Sequence, residues 1–139
     1  MSMRIRFALG LAAAVIGGAA GFAAPLVAQR PAMAMLSELE RGSWEIRTRE
    51  AGGRTERICL RDARRLIQLR HPADTCETVV VRDTPGEVTV QYTCRGKGYG
   101  RTEIRRESNR LVQIDSQGIA DGLPFAFAAE ARRVGDCAG

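Results

Sequence analysis

Glu87 to Arg106, EVTVQYTCRGKGYGRTEIRR, carries two opposing signals. In its first half Val88, Val90 and Tyr92 alternate with Thr89, Gln91 and Thr93, the two-residue period of a strand with one apolar face. In its second half Lys97-Gly98-Tyr99-Gly100 matches the opening of the RNP1 consensus of RNA-recognition domains. Gly96, Gly98 and Gly100, beside Lys97 and two arginines, also suggest a phosphate cradle. Both matches stop there. The RNP1 pattern next requires an aromatic, an apolar residue and another aromatic, whereas this chain has Arg101, Thr102 and Ile104. No second stacking strand precedes it, and RNA binding of that kind needs both platforms. A phosphate loop requires G-x-x-x-x-G-K-[ST] between a strand and a helix, and here a strand lies on either side. The stretch therefore reads as a glycine-rich connection between two antiparallel strands, with neither nucleic acid nor a cofactor implied.

The same period extends outward. Val79 to Val81 is a strand, Asp83 to Glu87 (DTPGE) a turn, and Arg101 to Glu107 the strand after the glycines. Glu107 to Asn109 turns the chain into Leu111 to Ser116. Gln117 to Pro124 (QGIADGLP) is expected as a loop, after which Phe125, Phe127, Ala129 and Ala131 alternate up to Arg133. Earlier, Trp44, Ile46 and Thr48 alternate with charged residues, Ala51 to Gly53 turns, and Arg54 to Leu60 returns. Two short helices are expected. Pro31 to Arg41 places Met35, Leu36 and Leu39 on one face ahead of Gly42. Asp62 caps the other, which carries Leu66, Ile67 and Leu69 and ends before His71-Pro72. The expected fold is mainly β, an antiparallel meander sheet curled or closed into a barrel, with one or two short helices.

The N-terminus points to a compartment. Arg4 and Arg6 precede a run from Phe7 to Ala28 without any charge, ending in Leu26-Val27-Ala28. A basic start, an apolar middle and a small residue at the cut describe a secretory signal peptide over residues 1–28, with Ala32-Met33-Ala34 as a second cleavage pattern. Gly10, Gly17, Gly18, Gly21 and Pro25 make the run a poor membrane anchor, so no stable anchor is expected after cleavage. One domain, residues 29–139, then remains, in the periplasm or secreted. Without Arg4 and Arg6 the 21 basic residues become 19 against 16 acids, a net charge of +3.

Cys59, Cys76, Cys94 and Cys137 all lie in that domain, and an even count in a small exported domain implies disulfides. Their gaps of 17, 18 and 43 residues suit neither a zinc site nor a redox C-x-x-C pair. Pro85 is midway between Cys76 and Cys94, which places those two opposite each other on a hairpin. Strand directions in a meander then bring Cys59 and Cys137 to the other end. The favoured pairing is Cys76–Cys94 with Cys59–Cys137; the runner-up is Cys59–Cys76 with Cys94–Cys137.

Gly42-x-Trp44-Glu45, Cys59-Leu60, lone Cys76 and Cys94, the glycine-rich turn and Arg133-Val134-Gly135-Asp136-Cys137 follow in this order over residues 42–137. The chain thereby resembles the bacterial family of domain of unknown function 3617, small exported proteins common in proteobacteria. One departure is Arg61 after Cys59-Leu60, where many members have threonine. The resemblance implies a periplasmic, disulfide-linked fold and brings no established activity.

Residues that could carry chemistry have plainer readings. His71 is the only histidine, sits in a loop before Pro72 and is expected to face solvent. Ser37, Ser43, Ser108 and Ser116 lack a nucleophile-elbow context. Glu103 and Glu107 share a strand face with Arg101 and Arg105, which suggests cross-strand ion pairing; Asp115 with Asp121 is the other carboxylate pair considered. Arg64-Arg65, Arg105-Arg106 and Arg132-Arg133 read as scattered surface charge, given the acids between them. Trp44, Tyr92, Phe125 and Phe127 either anchor the core or line an open barrel mouth holding a small apolar ligand. No catalytic residue, metal ligand or cofactor is assigned. The expected function is a non-catalytic binding or interaction domain of the envelope, whose partner is a small apolar ligand or an envelope protein. The alternatives are a surface-acting structural or envelope-stress protein with a filled core, and an uncharacterised enzyme.

Overall fold

The computed structural model describes residues 32–138, so the expected signal peptide over residues 1–28 lies outside the described part. After helix α1 (Ala34–Ser37) come strands β1 (Gly42–Thr48) and β2 (Thr55–Leu60), then a 3-10 helix (Ala63–Gln68). Strands β3 (Cys76–Asp83), β4 (Glu87–Cys94), β5 (Gly98–Ser108), β6 (Leu111–Ala120) and β7 (Leu123–Gly135) complete the chain. All seven strands form one antiparallel sheet in the order β2-β1-β7-β6-β5-β4-β3. β3 to β7 are a simple meander, and the β1–β2 hairpin adds to its far side through β7.

The alternation in the sequence becomes one covered face and one open face. Trp44, Ile46, Val88, Val90, Ile104, Val112, Ile114, Ala129 and Ala131 are all buried on the first. Met35, Leu36 and Leu39 from the α1 segment and Leu66 and Ile67 from the 3-10 helix close over them in the same core. Hydrogen bonds hold this cover in place. Thr102 Oγ1 on β5 donates to the Ile67 carbonyl at 2.6 Å, and Trp44 Nε1 donates to the Glu40 carbonyl at 2.9 Å. The Met33 amide donates to Asp83 Oδ2 at 2.7 Å, tying the entry of α1 to the end of β3.

One expectation is narrowed and two are corrected. Of the two forms expected for the antiparallel meander, curled or closed into a barrel, the closed one is not taken, because β2 and β3 end the strand order and do not pair. The 3-10 helix that connects those two edges packs against β5 on the covered face, so it fills the space between them instead of bringing them together. Helix α1 is a single turn, because Met33 is left-handed (φ 60°) with no side-chain cap and Glu38 already ends it. The loop expected over residues 117–124 is two strand ends and a tight turn. Asp121 (φ 50°) and Gly122 (φ 80°) make that turn, and β6 and β7 pair as far as Ala120 opposite Leu123. Positive φ at both central residues matches the right-handed twist of the flanking strands.

Both disulfides follow from register. Cys76 and Cys94 are direct partners on β3 and β4 and are bonded, with Cα atoms 4.2 Å apart. Cys59 on β2 and Gly135 on β7 both pair with Ser43 on β1, which brings Cys59 and Cys137 together across the start of β1. Those two are bonded with Cα atoms 5.3 Å apart. Loop-closure entropy grows with the enclosed length, so the bridge spanning 78 residues restrains the unfolded chain more than the one spanning 18. Urea unfolding of paired Cys→Ser variants should show a loss of about 4–5 kcal/mol without Cys59–Cys137 and about 3 kcal/mol without Cys76–Cys94. Equal losses would show that enclosed loop length does not set the difference.

Candidate functional site

The only histidine is not where a loop residue before proline is expected to be. His71 is 3% exposed, a correction to its expected solvent position. The 3-10 helix delivers it to the covered face at the glycine-rich end of the sheet. Its Nδ1 lies 3.2 Å from the Tyr92 hydroxyl and its Nε2 lies 3.3 Å from the Lys97 carbonyl. A carbonyl can only accept, so Nε2 carries the proton in the neutral ring and Nδ1 accepts from Tyr92. Gly100 makes room for this arrangement, since a Cβ there would stand 2.5 Å from the Tyr92 ring. Beyond it, Thr102 and Ser116 hydroxyls are 2.8 Å apart and both buried. This is a buried polar seam with its partners satisfied. The groups facing His71 are a phenol and a carbonyl, so the histidine clamps the β4–β5 turn to the helix rather than sharing a proton with a carboxylate.

Of the four aromatics considered for a ligand mouth, three are brought near His71. Tyr92 and Phe125 meet its ring edge-on at centroid distances of 5.5 and 6.2 Å, and Phe127 stacks on Phe125 at 6.2 Å. The Arg70 guanidinium covers Phe125 and Phe127 from outside, 5.9 and 5.3 Å from the ring centroids. Trp44 stands apart, fully buried on β1 opposite Ile58. Trp44 and Tyr92 are thus core residues. A cleft of about 380 Å³ beneath the β1–β2 turn reaches Leu69, Arg70 and the edge of Phe127.

The open face holds a different feature. Pairing aligns Val79, Gln91, Arg101, Gln117 and Ala126 in one row across β3 to β7, and Glu77, Thr93, Tyr99, Ile119 and Pro124 in the next. Between these rows lies a groove of about 650 Å³. Tyr99 is 56% exposed within it and Val79, 64% exposed, forms one wall. It continues along the strands into a second cleft of about 470 Å³ that shares Arg101, Gln117 and Ala126 and ends at Glu50, Glu103 and Asp115. Tyr99 therefore does not sit at a hairpin tip; the turn is Arg95 to Lys97, and Tyr99 is a strand residue looking out from the sheet.

The expected ion pairs along β5 are replaced by others. Glu103 faces Asp115, and Glu107 accepts from Gln113 Nε2 at 2.9 Å. Arg106 pairs with Glu38, Arg132 with Glu130, and Arg133 with Asp136, which disperses the doubled arginines. Asp121 is in the β6–β7 turn, six residues along the chain from Asp115 and outside the groove. No group of three or more His, Cys, Asp or Glu side chains poised for a metal occurs among the described residues.

A family model described as a protein of unknown function (DUF3617) matches residues 39–137. The chain belongs to that family. No curated protein matches the chain, and no solved structure does. For this DUF3617 protein, two disulfides fit an oxidising, non-cytoplasmic compartment, and no described helix is long and apolar enough to cross a membrane.

Burial raises the Tyr92 phenol above its ordinary 10.0, opposed by a hydrogen bond from Ser116 and the charge of Arg70. A raised phenol gives stability that is intact below the unfolded value and lost as pH rises through the folded one. Unfolding free energy should therefore decline above about pH 10, and more steeply than in Tyr92→Phe. Parallel curves for the two proteins would show that Tyr92 ionisation does not matter. At neutral pH the same substitution should cost about 1–3 kcal/mol by leaving His71 Nδ1 without a donor.

Proposed function

We propose that this DUF3617 protein is an exported, non-catalytic interaction module that binds an extended polypeptide segment of an envelope partner in the Tyr99 groove. The charge-free run Phe7 to Ala28 after Arg4 and Arg6 supports export, together with the two disulfides. The observation that carries the binding reading is the groove itself. It sets exposed Tyr99 and Val79 among hydrogen-bonding side chains on a sheet face built mainly from polar and charged residues. The covered face favours this over a ligand held inside the sheet, because Trp44 and Tyr92 are spent on the core. From Tyr99 to Glu103 the groove follows about 13 Å of strand, the reach of roughly four extended residues. Gln91, Thr93 and Gln117 offer donors and acceptors along it, which suits a peptide better than a hydrocarbon chain.

A photoreactive benzoylphenylalanine in place of Tyr99 should capture a discrete polypeptide other than this chain in the producing cell. The same group in place of Arg57, on the same face but in β2, should not. Arg101→Glu should lower the Tyr99 yield severalfold. Identical adducts at both positions, or none at Tyr99, would sink the reading. So would lipid retained in stoichiometric amount in native mass spectra.

A further inference from the structure

The β3 edge is built unlike its counterpart. A sheet edge offers unpaired N–H and C=O groups, and natural proteins usually blunt it with charge, bulges or cover. β2 is blunted: its outer half carries Thr55, Glu56 and Arg57, and Arg65 donates to the Cys59 carbonyl at 3.4 Å. β3 has a bulge only at its far end, between Val80 and Arg82, leaving Cys76 to Val80 regular. The 4.2 Å Cα separation of Cys76 and Cys94 marks a non-hydrogen-bonded pair. By alternation Glu77 and Val79 bond inward to β4, while the amides and carbonyls of Thr78 and Val80 point outward. No hydrogen bond outside the strand ladder reaches those groups among the described residues. Around them Val79, Val80 and Val81 are 64%, 36% and 48% exposed.

We propose that this edge pairs with the β3 edge of a second copy, antiparallel about Val79, to make one sheet continuous through both molecules. The two-fold axis this requires is perpendicular to the sheet, so each face continues into the same face of the partner. Thr78 of each copy then lies opposite Val80 of the other, and these two pairs exchange both of their free amides and carbonyls. The two Val79 side chains meet on the open face in a close, non-hydrogen-bonded pair. Charge is self-complementary in this register. Glu77 precedes Val79, and Arg82, which already pairs with Glu87 of its own chain at 2.7 Å, follows it on the same face, so each Glu77 adds a second carboxylate beside the partner's Arg82, at both ends of the seam. Shifting the centre to Val80 instead sets Val79 against the partner's bulge at Val81 and Arg82 and moves Glu77 past Arg82, so the Glu77–Arg82 contact is lost, which selects Val79. The seam is short and its partner surface small, so the association is weak and concentration-dependent.

Sedimentation equilibrium of the purified protein from about 10 µM to about 1 mM should show a monomer–dimer equilibrium. Val79→Lys, at an exposed site that leaves the fold intact by urea unfolding, should weaken it at least about tenfold. Glu77→Arg should weaken it too, and Glu77→Arg with Arg82→Glu should restore it. Val79→Cys should form an intermolecular disulfide faster than Leu123→Cys, which is more exposed and away from β3. A protein that stays monomeric to 1 mM overturns the proposal, as does a dimer that Val79→Lys leaves unchanged. Tyr99→Ala removes the groove's exposed aromatic residue and should not alter the dimer, which separates this seam from the peptide reading.

Discussion

Seven strands with one apolar face must find cover, and among the described residues only a single helical turn and a short 3-10 helix provide it. Everything else in the molecule follows from that shortage. The α1 segment and the 3-10 helix contribute Met35, Leu36, Leu39, Leu66 and Ile67, and each cover element is held to the sheet by hydrogen bonds as well as by contact. His71 and Tyr92 complete the cover at the end the helices do not reach. A polar clamp is tolerated there because each of its groups finds a partner; left unpaired, any of them would be costly in so dry a place. The two disulfides act on the same problem from the unfolded side, one closing the β3–β4 hairpin and the other fastening the last strand to the first hairpin.

Spending the large aromatics on this cover moves the candidate site outside. The covered face has Trp44 and Tyr92 fully enclosed, and the candidate groove lies on the face that alternation leaves to water. There Tyr99, Val79 and Ile119 interrupt a field of Arg, Glu, Gln and Thr. The groove exists because residues from five strands fall into adjacent rows, and its aromatic is the residue that looked like part of a nucleotide loop. The open architecture has a second consequence, since an unclosed sheet keeps two edges. β2 is protected by its own charges and by Arg65, whereas β3 exposes valines and, among the described residues, main-chain groups without a partner.

Much of the fold is legible in local chemistry. Period-two alternation places Val88, Val90 and Tyr92 on one face and Thr89, Gln91 and Thr93 on the other, and the structure keeps Val88, Val90 and Tyr92 buried. Asp62 caps the helix it precedes, accepting from the Arg64 amide at 2.9 Å. Gly118 shows where such reading stops. It resembles a loop residue, yet it is a strand position opposite Gly100, where a Cβ would strike the Tyr99 carbonyl at 2.1 Å. A glycine required by close approach and one required by a turn look alike until the neighbouring strand is known. His71 is misread for a similar reason: burial depends on what lies across from it, and its partners Tyr92 and Lys97 are 21 and 26 residues away.

The sequence by itself determined most of the strand content, the class of fold, the cysteine framework and the family, because each rests on spacing within the chain or on motifs in order. Only the tertiary structure decided that the sheet stays open, that β1 joins β7, that His71 is enclosed and that Tyr99 faces a groove. Those outcomes depend on the register between strands far apart in sequence. Register is set by how side chains from all of them share one covered face, and no single stretch contains that information.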